Sequence, residues 1–127
     1  MSAALDRSRR SRHDQLAATG EAVLVVDDDD AFRALVTAHL ERAGAEVHRA
    51  ASVAEAIGVV ETRHVDVVVC DYSMPQAPGT SLLAYLTRRG FPGRFVLTSA
   101  ELPPEAAAEA WAQGADAISK WDLLERL

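Results

Sequence analysis

The chain has 127 residues, of which 49% are hydrophobic and 25% charged, values typical of a single globular domain rather than of a disordered protein. Its formal net charge of −6 is uneven, because residues 1–20 carry +2 and residues 21–127 carry −8. An acidic domain is a poor match for the phosphate backbone of nucleic acid, so we expect no direct nucleic-acid binding.

The N-terminal residues and the single cysteine indicate in which cellular compartment the protein works. Residues 1–20 are rich in Ser, Arg and Ala and are predicted to form a flexible basic N-terminal tail, followed by one domain over residues 21–127. No apolar run approaches the roughly 20 residues of a membrane span, and none after the arginines suits a secretory signal. Cys70 excludes an internal disulfide and is typical of a reducing compartment. We therefore expect a cytoplasmic protein without a membrane partner.

The first half of the domain contains two apolar runs without alternation, which predict buried strands. Residues 22–26 are followed by four aspartates, 27–30, and residues 65–70 are followed by Asp71. Between these runs we predict an amphipathic helix up to Gly44, a short strand over 45–49, and a second helix that begins with a capping box. The inward positions of the first helix are predicted to be Phe32, Leu35, Val36, Leu40 and Ala43, and the capping box is Ser52 with Glu55.

The second half repeats the alternation of helix and strand. A helix is predicted from Gly79 or Thr80 to Gly90, and a strand over 95–97 leads to Thr98 and Ser99. The next helix has a proline in its first turn and is predicted to bury Ala106, Ala107, Ala110 and Trp111. A fifth short strand, 117–119, ends at Lys120, and a short helix follows.

Strands that alternate with helices in this way predict an α/β fold, a doubly wound five-stranded parallel sheet of (βα)5 type. Polar side chains follow four of its strands and should meet at the carboxyl edge, namely Asp27, Asp28, Asp71, Thr98 and Lys120. Crowded carboxylates repel each other and favour binding of a hard cation, here Mg²⁺. A lysine and a threonine at the same edge suit a phosphoryl group.

This pattern resembles the receiver domain of the response regulators of bacterial two-component systems. The resemblance covers residues 21–127 and is carried by Val25-Val26-Asp27-Asp28, Asp71-Tyr72-Ser73-Met74-Pro75 with Gly79, Thr98-Ser99, and Lys120. It implies a flavodoxin-like fold with strand order 2-1-3-4-5. It also implies a stand-alone phosphoprotein of phosphorelay signal transduction that switches its interaction with an unknown output protein.

The resemblance assigns a role to each matching residue. Asp71 would accept a phosphoryl group from a histidine kinase or phosphotransfer protein, Thr98 would bond its oxygen and Lys120 would pair with it. The ligands of Mg²⁺ would be Asp28, Asp71 and the backbone carbonyl of Ser73, with Asp27 acting through water. From their position alone, Asp29 and Asp30 are predicted to be the cap and first-turn acid of the first helix.

Two of the departures from the family bear on how the domain would switch. Trp121 follows Lys120 where receivers usually have a cis-proline; because a cis bond before another residue costs ~2.5–4 kcal/mol, we expect a trans bond. Ala117 stands where the family commonly has a switching Tyr or Phe. These departures leave open a second function, a pseudo-receiver that is a constitutive interaction module without phosphotransfer. A phosphatase with an aspartyl nucleophile generally has a second acid where this chain has Ser73, so we expect no enzyme.

Overall fold

Strands and helices alternate without exception in the computed structural model, which describes residues 16–127. The strands are β1 (Ala22–Val26), β2 (Glu46–Ala50), β3 (Val67–Asp71), β4 (Arg94–Ser99) and β5 (Asp116–Ser119). The helices are α1 (Asp30–Arg42), α2 (Val53–Thr62), α3 (Gly79–Arg88), α4 (Pro104–Ala112) and α5 (Lys120–Glu125). All strand pairs are parallel, in the order β2-β1-β3-β4-β5. The predicted doubly wound, flavodoxin-like architecture is confirmed.

The two central strands, β1 and β3, are buried along their whole length, which explains their unbroken apolar sequence. Alternate side chains enter different clusters on opposite faces of the sheet. Leu24 and Val68 pack with residues of α2, α3 and α4, whereas Val25 and Val69 pack with residues of α1 and α5. Because both faces are covered, a polar residue can leave the core only at the ends of these strands.

Side chains cap the first two helices as their sequences predict. Asp29 Oδ1 accepts hydrogen bonds from the N–H groups of Ala31 and Phe32, at 3.0 and 3.2 Å. Ser52 Oγ accepts from the Glu55 N–H at 3.1 Å, while the Glu55 carboxylate accepts from the N–H of Ala51. Among residues 16–127, no helix is both long and apolar enough to cross a membrane.

Three residues predicted to face the core are exposed, and one of them is Ala43, which caps the C-terminal end of α1. Leu35 on α1 is 43% exposed, and Trp111 near the end of α4 is 61% exposed. On α4 the buried positions are the alanines 106, 107 and 110, whose small side chains let the helix approach the sheet closely. Trp111 follows Ala110 by a rotation of about 100° around the helix axis, which carries its side chain toward solvent. The prediction that Trp111 packs in the core was wrong.

The predicted flexible tail, residues 1–20, falls largely outside the described residues, because 1–15 are not described. Residues 16–20 are packed against the domain. Leu16 is buried among core residues of α1 and α5, and the Gly20 N–H donates to the Gly44 carbonyl at 2.9 Å. Thr19 Oγ1 adds a hydrogen bond to the Ala43 carbonyl at 3.2 Å, so this segment is held at the C-terminal end of α1.

Candidate functional site

Three carboxylates meet at the carboxyl edge of the sheet. Asp27 and Asp28 directly follow β1, and Asp71 is the last residue of β3. The pairing of Val26 with Cys70 places the two strand ends side by side. One carboxylate oxygen from each of the three aspartates lies within 4.8 Å of the others. Asp27 and Asp71 are buried, whereas Asp28 is exposed, so the cluster is open to water on one side only.

Lys120 places its ammonium group beside the two buried aspartates. Its Nζ lies 2.9 Å from Asp27 Oδ2 and 3.7 Å from Asp71 Oδ2, and its side chain is only 15% exposed. The contact with Asp27 is an ion pair by its distance. Burial alone would lower the pKa of Lys120, but the contact with Asp27 and the charges of both aspartates outweigh burial and raise that pKa.

Ionisation of the Asp71 carboxyl group is disfavoured in this site. Burial raises its pKa from 3.8 to about 6, and the charge of Asp27 adds to the increase. The ammonium group of Lys120 and the backbone N–H of Ser73 act in the opposite direction but do not cancel it. One lysine therefore offsets only part of the charge of three carboxylates. An all-oxygen donor set with excess negative charge and an open side fits Mg²⁺, which favours one or two carboxylates together with waters.

Thr98 lies next to Asp71 across the sheet. The two residues are paired in the β3–β4 ladder, so their side chains lie on the same face. The N–H of Tyr72 donates to the Thr98 carbonyl at 2.7 Å, which continues the ladder beyond Asp71. The hydroxyl of Thr98 is buried and has no hydrogen-bond partner within residues 16–127. A buried hydroxyl without a partner costs free energy that an incoming acceptor would recover.

The loop after β3 is held against the strand end by the start of α3. The N–H of Gly79 donates to the Tyr72 carbonyl at 2.8 Å. A Cβ atom on Gly79 would lie 2.2 Å from the Asp71 carbonyl oxygen, so only glycine permits this approach. Ser73 is exposed in this loop, and its backbone N–H acts to lower the pKa of the Asp71 carboxyl group. The role predicted for its carbonyl as a metal ligand stays a prediction.

Two residues of the first turn of α1 reach the site and were missed by the sequence reasoning. The guanidinium group of Arg33 donates to the Asp27 carbonyl at 2.6 Å. The ring of Phe32 lies under the ammonium group of Lys120, with its centroid 4.4 Å from Nζ. The apolar spacing assigned Phe32 to the core. The sequence did contain one sign of its position: the helix that carries Phe32 begins three residues after Asp27, so its first turn lies near the carboxyl edge of the sheet.

The two departures from the family pattern have structural outcomes. No cis peptide bond occurs within residues 16–127, so the expectation of a trans bond before Trp121 is confirmed. Trp121 itself is 68% exposed and does not pack in the core. Ala117 pairs with Leu97 on β4 and packs against the core with its small side chain. No long loop separates β5 from the next helix, because α5 begins at Lys120 itself.

Comparison with known proteins gives one family. The model of the family described as response regulator receiver domain matches residues 23–123. Over 106 residues, 82% of this chain, the sequence is 34% identical to the sensor kinase CckA of Brucella abortus (strain 2308). It is 32% identical over 69 residues to the phosphate regulon transcriptional regulatory protein PhoB of Pseudomonas aeruginosa. The matched regions span only 11% and 30% of those two proteins, respectively.

Solved structures give the same fold. A CheY-like response regulator receiver domain protein from Methanospirillum hungatei JF-1 is 27% identical and superimposes with a TM-score of 0.76, covering 85% of this chain and 90% of the other. The receiver domain of the Francisella response regulator 1452 is 28% identical with a TM-score of 0.74, covering 84% and 93%. The similarity therefore extends over nearly the whole described domain.

Proposed function

The chain belongs to the response regulator receiver domain family, and from this premise we propose that it is a phosphoacceptor. Asp71 takes a phosphoryl group from a histidine kinase or phosphotransfer protein. The modification changes the binding of an output protein. Receiver domains of this family bind Mg²⁺ in an acidic pocket, to which the cluster of Asp27, Asp28 and Asp71 corresponds in position. We propose these residues, with the Ser73 carbonyl, as its site, and Asp27 as the ligand acting through water.

The observation that carries the proposal is the setting of Asp71. This buried carboxylate has a pKa raised to about 6, so it is largely ionised at neutral pH yet poorly stabilised as an anion. It can therefore act as a nucleophile: one of its oxygens forms a bond to phosphorus while the bond from phosphorus to the donor imidazole nitrogen breaks, and that nitrogen keeps the electron pair. Bound Mg²⁺ would supply positive charge to the phosphoryl oxygens.

Lys120 and Thr98 serve the transferred group. The ammonium group of Lys120, 3.7 Å from Asp71, offsets the negative charge that the phosphoryl oxygens bring into the buried site. The hydroxyl of Thr98, which has no hydrogen-bond partner within residues 16–127, supplies a hydrogen-bond donor on the same face of the sheet. Both contacts exist only when the phosphoryl group is present, so they stabilise the modified state selectively.

A second candidate function has its own observation. Ala117 provides no aromatic ring to report on Thr98, and Trp121 is exposed rather than packed as a substitute. A pseudo-receiver that binds its partner without phosphotransfer would need neither residue. A turnover enzyme is less well supported, because Ser73 offers no second acid two residues after Asp71. We propose that the chain is not an enzyme.

The experiment that separates these functions treats the protein with acetyl phosphate and Mg²⁺ and measures the intact mass. We expect one base-labile phosphoryl group, which peptide mapping places on Asp71, and we expect Asp71→Asn to abolish it. Asp66→Asn, at the other end of β3, is the matched control and should be labelled like the unaltered protein. An unaltered protein that takes up no phosphoryl group would favour the pseudo-receiver; labelling that persists in Asp71→Asn would refute the assignment of the nucleophile.

A further inference from the structure

We propose that Phe32 is a positioning residue for Lys120: its aromatic ring holds the ammonium group beside the two buried aspartates. The kinetic consequence of this proposal rests on the proposed function, whereas the contact itself does not. Nothing in the family match or in the similarity to the relatives assigns a role to this side chain.

Three groups surround the Lys120 ammonium nitrogen. Asp27 Oδ2 lies at 2.9 Å, Asp71 Oδ2 at 3.7 Å, and the centroid of the Phe32 ring at 4.4 Å. The last distance is well within the roughly 6 Å over which the face of an aromatic ring attracts a cation. Because only 15% of the lysine side chain is exposed, this attraction acts in a partly dehydrated setting, where it is stronger than at an open surface.

The ring is itself held in place by the backbone around it. Phe32 lies in the first turn of α1, and its N–H donates to the capping carboxylate of Asp29 at 3.2 Å. The next residue, Arg33, donates to the Asp27 carbonyl at 2.6 Å, which fixes the turn to the end of β1. The ring is half-buried and packs against the core cluster that includes Val25 and Val36. A ring held in this way can therefore restrict the lysine side chain further than its contacts with the two aspartates do.

An aromatic ring suits this task better than a third carboxylate would. A lysine side chain loses rotational entropy when it is fixed, and a contact made before the phosphoryl group arrives removes that cost from the reaction. A carboxylate in the position of Phe32 would compete with the phosphoryl oxygens for the ammonium charge. The neutral ring attracts the cation yet leaves its charge available to the incoming group.

The test changes the electrostatics of the ring while keeping its shape. Pentafluorophenylalanine, introduced at position 32 alone, reverses the polarity of the ring face and should repel the ammonium group. Phe32→Leu removes the ring, Phe32→Tyr retains it, and Leu35→Ala alters an exposed residue of the same helix as a control. Each protein is examined by NMR without any phosphodonor and then by its rate of phosphoryl uptake from acetyl phosphate at saturating Mg²⁺.

In the unaltered protein, the Lys120 ε-methylene protons should show an upfield shift from the ring current. We expect this shift to be lost with the fluorinated ring and with Phe32→Leu, and to be kept with Phe32→Tyr and Leu35→Ala. Uptake should slow about fivefold in the first two proteins, which corresponds to about 1 kcal/mol, and should be unchanged in the other two.

The two readouts separate the possible failures. If the unaltered protein takes up no phosphoryl group, the proposed function fails, while the NMR shift still decides whether the ring holds the lysine. If the fluorinated protein keeps the shift and the normal rate, the ring acts by packing alone and the positioning role is refuted. The fluorinated ring preserves the volume of the side chain, so the test remains valid even if Phe32→Leu does not fold.

Discussion

Asp66 directly precedes β3 and Asp71 is its last residue, and the two illustrate two uses of one residue type. At the amino edge of the sheet, Asp66 Oδ2 accepts a hydrogen bond from the Ala22 N–H at 2.8 Å, and Oδ1 contacts His64 Nε2 at 2.8 Å. The backbone N–H of Ala22 is the main reason why the pKa of Asp66 is lowered. At the carboxyl edge, Asp71 is buried near other carboxylates and its pKa is raised to about 6.

The difference shows which end of β3 can still bind a ligand. Both oxygens of Asp66 have partners, so this carboxylate tethers β3 to β1 and gains nothing from a further ligand. Asp71 shares one ammonium group with Asp27, and the neighbouring hydroxyl of Thr98 has no partner within the described residues. Hence the amino edge contributes to stability, whereas the carboxyl edge retains unused binding capacity for a cation and a phosphoryl group.

The largest effect should come from removing ligands at the carboxyl edge. We expect Asp28→Ala to weaken Mg²⁺ binding about 100-fold and Asp27→Ala about 10-fold, because only Asp28 is predicted to contact the ion directly. Isothermal titration calorimetry measures both affinities. Asp66→Ala, at the satisfied edge, should leave Mg²⁺ affinity unchanged. The reverse order for Asp27 and Asp28 would mean that the buried aspartate is the direct ligand.

The next effect is the dependence of the free energy of unfolding on pH. The contribution of Asp71 should be lost as the pH rises, whereas that of Asp66 should be lost as the pH falls. With Mg²⁺ chelated, the raised pKa of Asp71 favours the folded state below pH 3.8, and this contribution is lost as the pH rises through about 6. We expect a loss of about 2 kcal/mol after allowance for solvent screening. Urea unfolding at several pH values should show that Asp71→Asn abolishes this loss.

Asp66 should behave in the opposite way. Its lowered pKa stabilises the fold above pH 3.8, and that contribution disappears as the pH falls through the folded-state value. Asp66→Asn should therefore flatten only the acidic end of the same unfolding series. If both variants flattened the same pH range, the contrast between the two edges would be wrong.

The smallest effect concerns two glycines that touch these aspartates. A Cβ atom on Gly79 would lie 2.2 Å from the Asp71 carbonyl oxygen, and one on Gly93 would lie 2.4 Å from that of Asp66. Either alanine substitution should cost about 1–2 kcal/mol in the free energy of unfolding, because a backbone atom must move.

Only Gly79→Ala should also slow phosphoryl uptake, since it displaces the end of β3 that carries Asp71. Gly58→Ala, where no atom lies within 4 Å of the added Cβ, should instead stabilise α2 by about 0.5–1 kcal/mol. Urea denaturation and the acetyl phosphate assay measure the two properties separately. Equal slowing by Gly79→Ala and Gly93→Ala would show that uptake follows global stability rather than the local position of Asp71.

Much of the fold could be predicted because the buried strands have a simple sequence pattern. The apolar run of β1 ends at a charged residue, and its bounds, Ala22–Val26, agree with the prediction. Parallel strands place their carboxyl ends at one edge, so the meeting of Asp27, Asp71 and Lys120 also followed from the order of elements. These predictions needed only the direction of each strand, not the conformation of any side chain.

The remaining features depend on side-chain packing between distant segments. Helical spacing includes Leu35 and Trp111 in an apolar stripe but cannot say how wide the covered stripe is, and both side chains are exposed. The contact between Phe32 and Lys120 joins residues far apart in sequence and depends on a lysine rotamer. The burial of Leu16 likewise needs a gap between α1 and α5 that no local pattern reveals.

The direct passage from β5 into α5 gives the lysine a mechanical constraint. Lys120 is the first residue of the helix, Ser119 Oγ caps it by accepting from the Asp122 N–H at 3.1 Å, and Leu123 is fully buried in the core. The backbone of Lys120 is thus held in place by β5 on one side and by an anchored helical turn on the other. Because this backbone cannot shift, the ammonium group can approach the phosphoryl group only by rotation of the lysine side chain, and any larger adjustment has to come from the acidic side of the site.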